Sequence, residues 1–263
     1  MHGDQGEPIV LLNGIMMTAA SWRPFLPAMT QHNRVVLVDF FDQGNSARME
    51  EAYGHGVQVE LLDAVLKTVS EQIRVERFAL MGISYGGEIA IQYALAHPEC
   101  VRKLVLANTC GRTSPWLKKI GDGWNAVAKT GNGTAYYLTA IPVIYSTRFF
   151  EEHAVWMERR EAHLCKYFSR SDVREALIRL TDSSCSYDVM ERLHEIICPT
   201  LILSSSEDAL VPPTEQQLLH ERIRASRLVT INGSGHASMY EEPELFTALV
   251  VGFVNLPDDG IQI

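Results

Sequence analysis

Ser84 stands between two glycines in "LMGISYGGEIA" (residues 80 to 90), straight after an apolar run and straight before a helical pattern. Glycine at 82 and 86 lets the chain turn tightly where side chains would collide with neighbouring backbone. Such a turn pushes Ser84 toward unfavourable backbone angles and leaves its hydroxyl exposed. The motif alone is a weak signal, because a serine hydroxyl becomes a nucleophile only beside a base. The chain has nine histidines, so the base is chosen by position. His153, His163 and His194 fall in helical patterns, His97 ends a helix beside Pro98, and His220 lies within another helical stretch. His236, in "NGSGHASMYEEP", follows a strand in a glycine-rich loop that can reach over a sheet edge. An imidazole base needs a carboxylate to fix its tautomer and stabilise the imidazolium. "LILSSSEDALVPP" offers Asp208 as first choice and Glu207 as fallback, just after a strand. Two backbone N–H groups complete the set as expected oxyanion donors. They are Tyr85, at the start of the helix after Ser84, and Ile15, in the loop of "LLNGIMMTAASW".

Six apolar runs have to position these groups: residues 9 to 13, 34 to 40, 77 to 82, 103 to 108, 200 to 205 and 227 to 232. They are short and nearly continuous, as strands covered on both faces are. Helical patterns alternate with them over 57 to 73, 86 to 98 and 243 to 254, the last opening on Pro243. This alternation predicts an α/β fold with a mostly parallel, doubly wound sheet. It breaks once. From about Gly111 to Cys198 the patterns are helical, and half of the chain's aromatic residues lie there. The expected organisation is a core of residues 1–111 and 199–263 with a helical cap of 112–198 inserted before the penultimate strand. Met16, Trp116, Trp124, Tyr137 and Tyr145 are the expected substrate contacts, because pockets are built largely from apolar and aromatic groups.

Composition excludes several classes of partner. The chain of 263 residues has a formal net charge of −9, against a phosphate-binding surface or a polybasic membrane patch. Five scattered cysteines without a C-x-x-C pair point to free thiols in a reducing, cytoplasmic setting. No apolar run reaches the length of a membrane span. Neither a metal nor an organic cofactor is expected, since H-E-x-x-H, spaced Cys/His sets and G-x-G-x-x-G are all missing from the sequence. The expected partner is a small-molecule substrate, with a homodimer possible.

Taken in order, these segments resemble the α/β-hydrolase superfamily, in its capped, esterase-like branch, over nearly the whole chain. "GISYGG" resembles the family's nucleophile elbow, "EDALVPP" its acid turn and "GSGHASMYEEP" its histidine loop. "LLNGIMMTAASW" resembles the loop that carries an oxyanion donor, and "VDFFDQGNS" an Asp-x-x-Gly-x-Gly-x-Ser segment. The resemblance implies Ser84 as nucleophile, His236 as base, Asp208 as acid, and Ile15 and Tyr85 as oxyanion donors. It implies hydrolysis of an ester, thioester or lactone of a small, largely apolar substrate. A cofactor-free haloperoxidase would use the same triad, and a non-catalytic binding protein the same scaffold. Ala237 stands where carbon–carbon bond hydrolases of the family usually have Trp, Tyr85 where proline iminopeptidases have Trp, and Ser84 where dehalogenases have Asp. Two departures bear on structure. Asn13 replaces the usual His before Gly14, and Asp42 replaces the first glycine of the Asp-x-x-Gly segment. The family's two earlier strands are expected to be missing. The run at 34 to 40 then lies at a sheet edge, with the residues before Glu7, a partner chain or nearby side chains shielding it.

Overall fold

A computed structural model describes residues 1–257. Its strands are β1 (Glu7–Leu12), β2 (Asn33–Val38), β3 (Phe78–Ile83), β4 (Val101–Ala107), β5 (Thr200–Ser205) and β6 (Ser226–Ile231). They form one sheet in the order β2-β1-β3-β4-β5-β6, and every pairing is parallel. The expected boundaries differ from these by no more than two residues, since the apolar runs end where the strands leave the core.

The helices up to β4 are α1 (Leu26–Met29), α2 (His55–Ile73) and α3 (Tyr85–Ala96). Five more follow between β4 and β5: α4 (Pro115–Lys129), α5 (Gly133–Ala140), α6 (Thr147–Glu152), α7 (Ala154–Phe168) and α8 (Ser171–Ser183). The chain closes with α9 (Pro213–Arg222), α10 (Ser238–Glu241) and α11 (Pro243–Asn255).

Alternate strand residues face opposite sides of the sheet, so each near-continuous apolar run feeds two cores. Val10, Leu12, Leu80, Leu104 and Ile202 pack under α2, α3 and α9. Ile9, Leu11, Met81, Val105 and Leu203 pack under α1 and α11. A third apolar cluster is built from α4, α5, α7 and α8, and includes Trp124, Tyr136, Tyr137, Phe168 and Leu177.

The chain runs from β1 outward to β2, then crosses back to place β3 on the other flank of β1. The loops leaving β1 and β3 therefore diverge to opposite faces. A crevice at such a switch point is where parallel sheets bind ligands. Both Gly14 and Ser84 lie at these two strand ends.

At the β2 edge, His2 and Val35 form an antiparallel bridge, with N–H···O distances of 2.8 and 2.7 Å. Residues before Glu7 thus cover part of that edge. The five cysteines are free, and no described helix is long and apolar enough to cross a membrane.

Candidate active site

Ser84 lies between β3 and α3 with φ 52° and ψ −121°, a conformation that disfavours any residue with a Cβ. Its backbone is fixed on every side. The Ser84 N–H donates to Ala107 O at 2.9 Å, while its carbonyl accepts from Gly87 N–H and from Thr109 Oγ1, both at 2.8 Å. The two flanking glycines are steric necessities. A Cβ on Gly82 would run into the backbone of Gly86, and one on Gly86 into the carbonyl of Leu12. A Cβ on Gly14 would stand 3.5 Å from Ser84 Cβ, which measures how closely the β1 loop approaches the serine.

His236 is brought in by the loop after β6, and its Nδ1 lies 2.8 Å from Asp208 Oδ2. Both side chains are buried. Asp208 is held in turn by four donors. Leu210 and Val211 N–H donate to Oδ1 at 3.0 and 2.8 Å, and Asn108 Nδ2 shares Oδ2 with His236 at 3.0 Å. With Asp208 accepting, His236 Nδ1 carries the proton, which leaves Nε2 free to act as a base. Glu207, the fallback acid, makes no such contact with an imidazole. Its backbone N–H donates to Ser234 O, bracing the histidine loop.

The β1 loop is organised by Asn13. Its Oδ1 accepts from Trp22 Nε1 at 2.7 Å, and its Nδ2 donates to Val38 O at 2.9 Å and to Asp39 Oδ1 at 3.0 Å. Gln43 Nε2 donates to Gly14 O at 2.9 Å. Asn13, standing where the family usually has histidine, thus ties the loop to Trp22 and to the end of β2. Among the described residues, neither Ile15 N–H nor Tyr85 N–H donates to another backbone group. Both residues line the same cavity as Ser84 and His236.

That cavity has a volume of about 130 Å³. Of the residues expected to contact substrate, Met16, Trp124 and Tyr145 line it. Trp116 and Tyr137 do not, which corrects that expectation. Leu117, Gly121 and Trp124 form the stripe of α4 that faces the cavity, and Trp116 lies about 100° around the helix from Leu117. It is 53% exposed, with its indole N–H donating to Ala209 O. Tyr137 is buried in the apolar cluster of the inserted helices instead.

Several wall residues carried no readable signal in the sequence. Glu88, in the first turn of α3, lies on the cavity wall within a buried polar cluster. Its Oε2 accepts from Ser184 Oγ at 2.9 Å and stands 3.3 Å from His55 Nε2. Gln92 Nε2 is 2.8 Å from His55 Nδ1, and His55 Nε2 is 2.9 Å from Ser184 Oγ. Gln92 donates to Nδ1, so the His55 proton sits on Nε2. Burial pushes Glu88 up to about 8, opposed by the Ser184 and Cys110 hydrogen bonds, and burial pushes His55 down to about 4. At neutral pH this cluster is uncharged. The Tyr85 ring packs edge-on against Phe40 and His55, and its hydroxyl meets Ser183 Oγ at 2.9 Å.

A parallel sheet with a strained serine at the end of one central strand, and a His–Asp pair delivered by two later loops, defines an alpha/beta hydrolase. The Alpha/beta hydrolase family model matches residues 9–249, and the chain belongs to that family. The crystal structure of MGS-M2, an alpha/beta hydrolase enzyme from a Medee basin deep-sea metagenome library, is similar to it with a TM-score of 0.94 and 46% identity. That match covers 100% of this chain and 94% of the other. A hydrolase from Pseudomonas aeruginosa PA01 is similar with a TM-score of 0.84 and 25% identity, over 97% of this chain and 92% of that one. By sequence the chain is also similar to "Putative carbamate hydrolase RutD" of Azorhizobium caulinodans. The two are 28% identical over 96% of this chain and 92% of the relative.

Proposed function

We propose that the protein is a serine hydrolase that cleaves a carboxylic ester, thioester or lactone through an acyl-enzyme, with Ser84, His236 and Asp208 as its triad. The observation that carries this reading is the convergence on one cavity of a serine at φ 52° and a histidine whose Nδ1 is engaged by a buried aspartate. Ser84 Oγ attacks the carbonyl carbon and gives its proton to His236 Nε2. The oxyanion is held by Ile15 and Tyr85 N–H, the latter at the amino end of α3. Collapse breaks the bond to the leaving group, which takes the proton from His236. Water then attacks the acyl-enzyme, passes a proton to His236, and the second collapse frees the acid and restores Ser84.

Carbamate esters present the same carbonyl to the same groups, and the sequence relatives named as carbamate hydrolases make them the second substrate class to assay. A fluorophosphonate probe tests the nucleophile. Covalent labelling of the wild type that vanishes in Ser84→Ala is the expected result. Folded wild-type protein that stays unlabelled points instead to a binding protein on the same scaffold. Turnover of a panel of esters, thioesters, lactones and carbamate esters then ranks the bond type.

A further inference from the structure

Arg160 projects from α7 onto the cavity wall. Its guanidinium carbon lies 5.0 Å from the Tyr240 ring centroid, 5.1 Å from Trp156 and 5.9 Å from Tyr145. Three aromatic faces thus hold the side chain by cation–π contact. The Tyr145 hydroxyl also takes a hydrogen bond from the guanidinium, which leaves Nε as the unspent donor. Arg160 Nε is buried without a hydrogen-bond partner, and no carboxylate forms an ion pair with Arg160 among the described residues. Glu241, the buried carboxylate behind Tyr145, is already occupied by Ser146 N–H, Ser146 Oγ–H and Gly235 N–H. A buried guanidinium donor with no acceptor costs stability unless something supplies one.

The charge on the rest of the wall points the same way. Lys118 lines the α4 side of the cavity. Glu88 is the one carboxyl group on the wall among the described residues, and burial keeps it protonated at neutral pH. In a chain of formal net charge −9, the permanently charged side chains that line this cavity are thus the half-buried Arg160 and the exposed Lys118. A wholly apolar ester would leave that charge and the Arg160 fork unanswered.

We propose that Arg160 forms a carboxylate subsite in the cavity, so that the substrate is an ester-type compound carrying a second, ionised carboxylate. The planar fork of one guanidinium matches a carboxylate in bidentate fashion, and the aromatic walls match a flat or extended carbon chain leading to it. This assignment rests on the serine-hydrolase reading for what happens to the ester, though not for the binding itself.

Binding is measured by calorimetry in the Ser84→Ala protein, which needs no turnover. The ligands are monomethyl esters of straight dicarboxylic acids from succinate to suberate, each against its neutral primary-amide counterpart of the same length. At one or more lengths the carboxylate is expected to bind about tenfold tighter or better than its amide. Arg160→Gln should collapse that difference, and Arg160→Lys should restore part of it. Equal binding of acid and amide at every length, a preference that survives Arg160→Gln, or no binding at all overturns the subsite. Hydrolysis of the same esters by the wild type is read separately. Carboxylate binding without cleavage upholds the subsite and overturns the ester reading, while cleavage without preference does the reverse.

Discussion

Ser84 and Glu88 lie four residues apart on one turn of α3, yet their surroundings ask opposite things of them. Ser84 is held in a strained conformation by bonds to Ala107, Gly87 and Thr109, so its hydroxyl faces the cavity at the cost of backbone energy. Glu88 is sealed behind it against His55, Ser184 and Cys110, where low polarity favours the uncharged carboxyl. Its folded-state value of about 8 lies above the ordinary carboxyl value of 4.5, so between those limits the folded state binds more protons than the unfolded state. Stability from this group is therefore full below the unfolded value and is lost as pH rises through about 8. His55 acts with the opposite sign. Its value is depressed from 6.5 to about 4, so its contribution is lost as pH falls through that window. Of these two groups only Glu88 is active between pH 7 and 9, and the wild type should lose roughly 1 kcal/mol relative to Glu88→Gln. Urea unfolding at both pH values checks this. Parallel pH dependence of the two proteins would show that Glu88 is ionised in the fold.

The loop after β2 and helix α8 are tied by one ion pair. Asp42 adopts φ 69° and is fully buried at its side chain, where Arg179 Nη2 and Nε donate to its two oxygens at 2.6 and 3.0 Å. Glycine is usual at this place in the family because the backbone is left-handed there. Here a carboxylate accepts that strain and gains a bidentate partner from the inserted helices. The inserted helices are also tied to the sheet side through Ser184 at the end of α8, which bridges His55 on α2 and Glu88 on α3. Breaking the first tie by Arg179→Met leaves Asp42 buried and unpaired, and should cost about 3 kcal/mol in denaturant unfolding. Adding Asp42→Gly to that variant removes both the stranded charge and the left-handed strain, and should recover most of the loss. Additive losses in the double variant would show that the pair is not coupled.

Across the whole molecule, one sheet carries an apolar cluster on each face, a third cluster lies among the inserted helices, and β2 is left at an edge. The His2–Val35 bridge covers that edge at a single position. Val35 N–H points outward to His2 O, so Leu37 N–H, two residues on, points the same way and has no backbone partner there among the described residues. Hydrogen exchange should find the Val35 amide protected and the Leu37 amide fast. Removing residues 1 to 3 should speed Val35 by about tenfold or more. An unchanged Val35 rate would mean that the bridge does not form in solution. The sequence determined the strands, their alternation with helices, and the order of Ser84, Asp208 and His236, because those signals are local: apolar runs, turn glycines and a loop after a strand. It also marked Asn13 and Asp42 as departures. What the departures do depended on partners far along the chain, such as Trp22 and Asp39 for Asn13 and Arg179 for Asp42. Helical periodicity names a face but not what that face meets. For that reason Trp116 looked like a cavity residue and does not line the cavity, while Arg160, in the charged run "MERREA", carried no signal that it lines the site. Glu88 was hidden in the same way, since only the packing of α2, α3 and α8 takes water away from it. Local chemistry is written along the chain, but burial and charge pairing are properties of how the elements meet, and these decide what the cavity can hold.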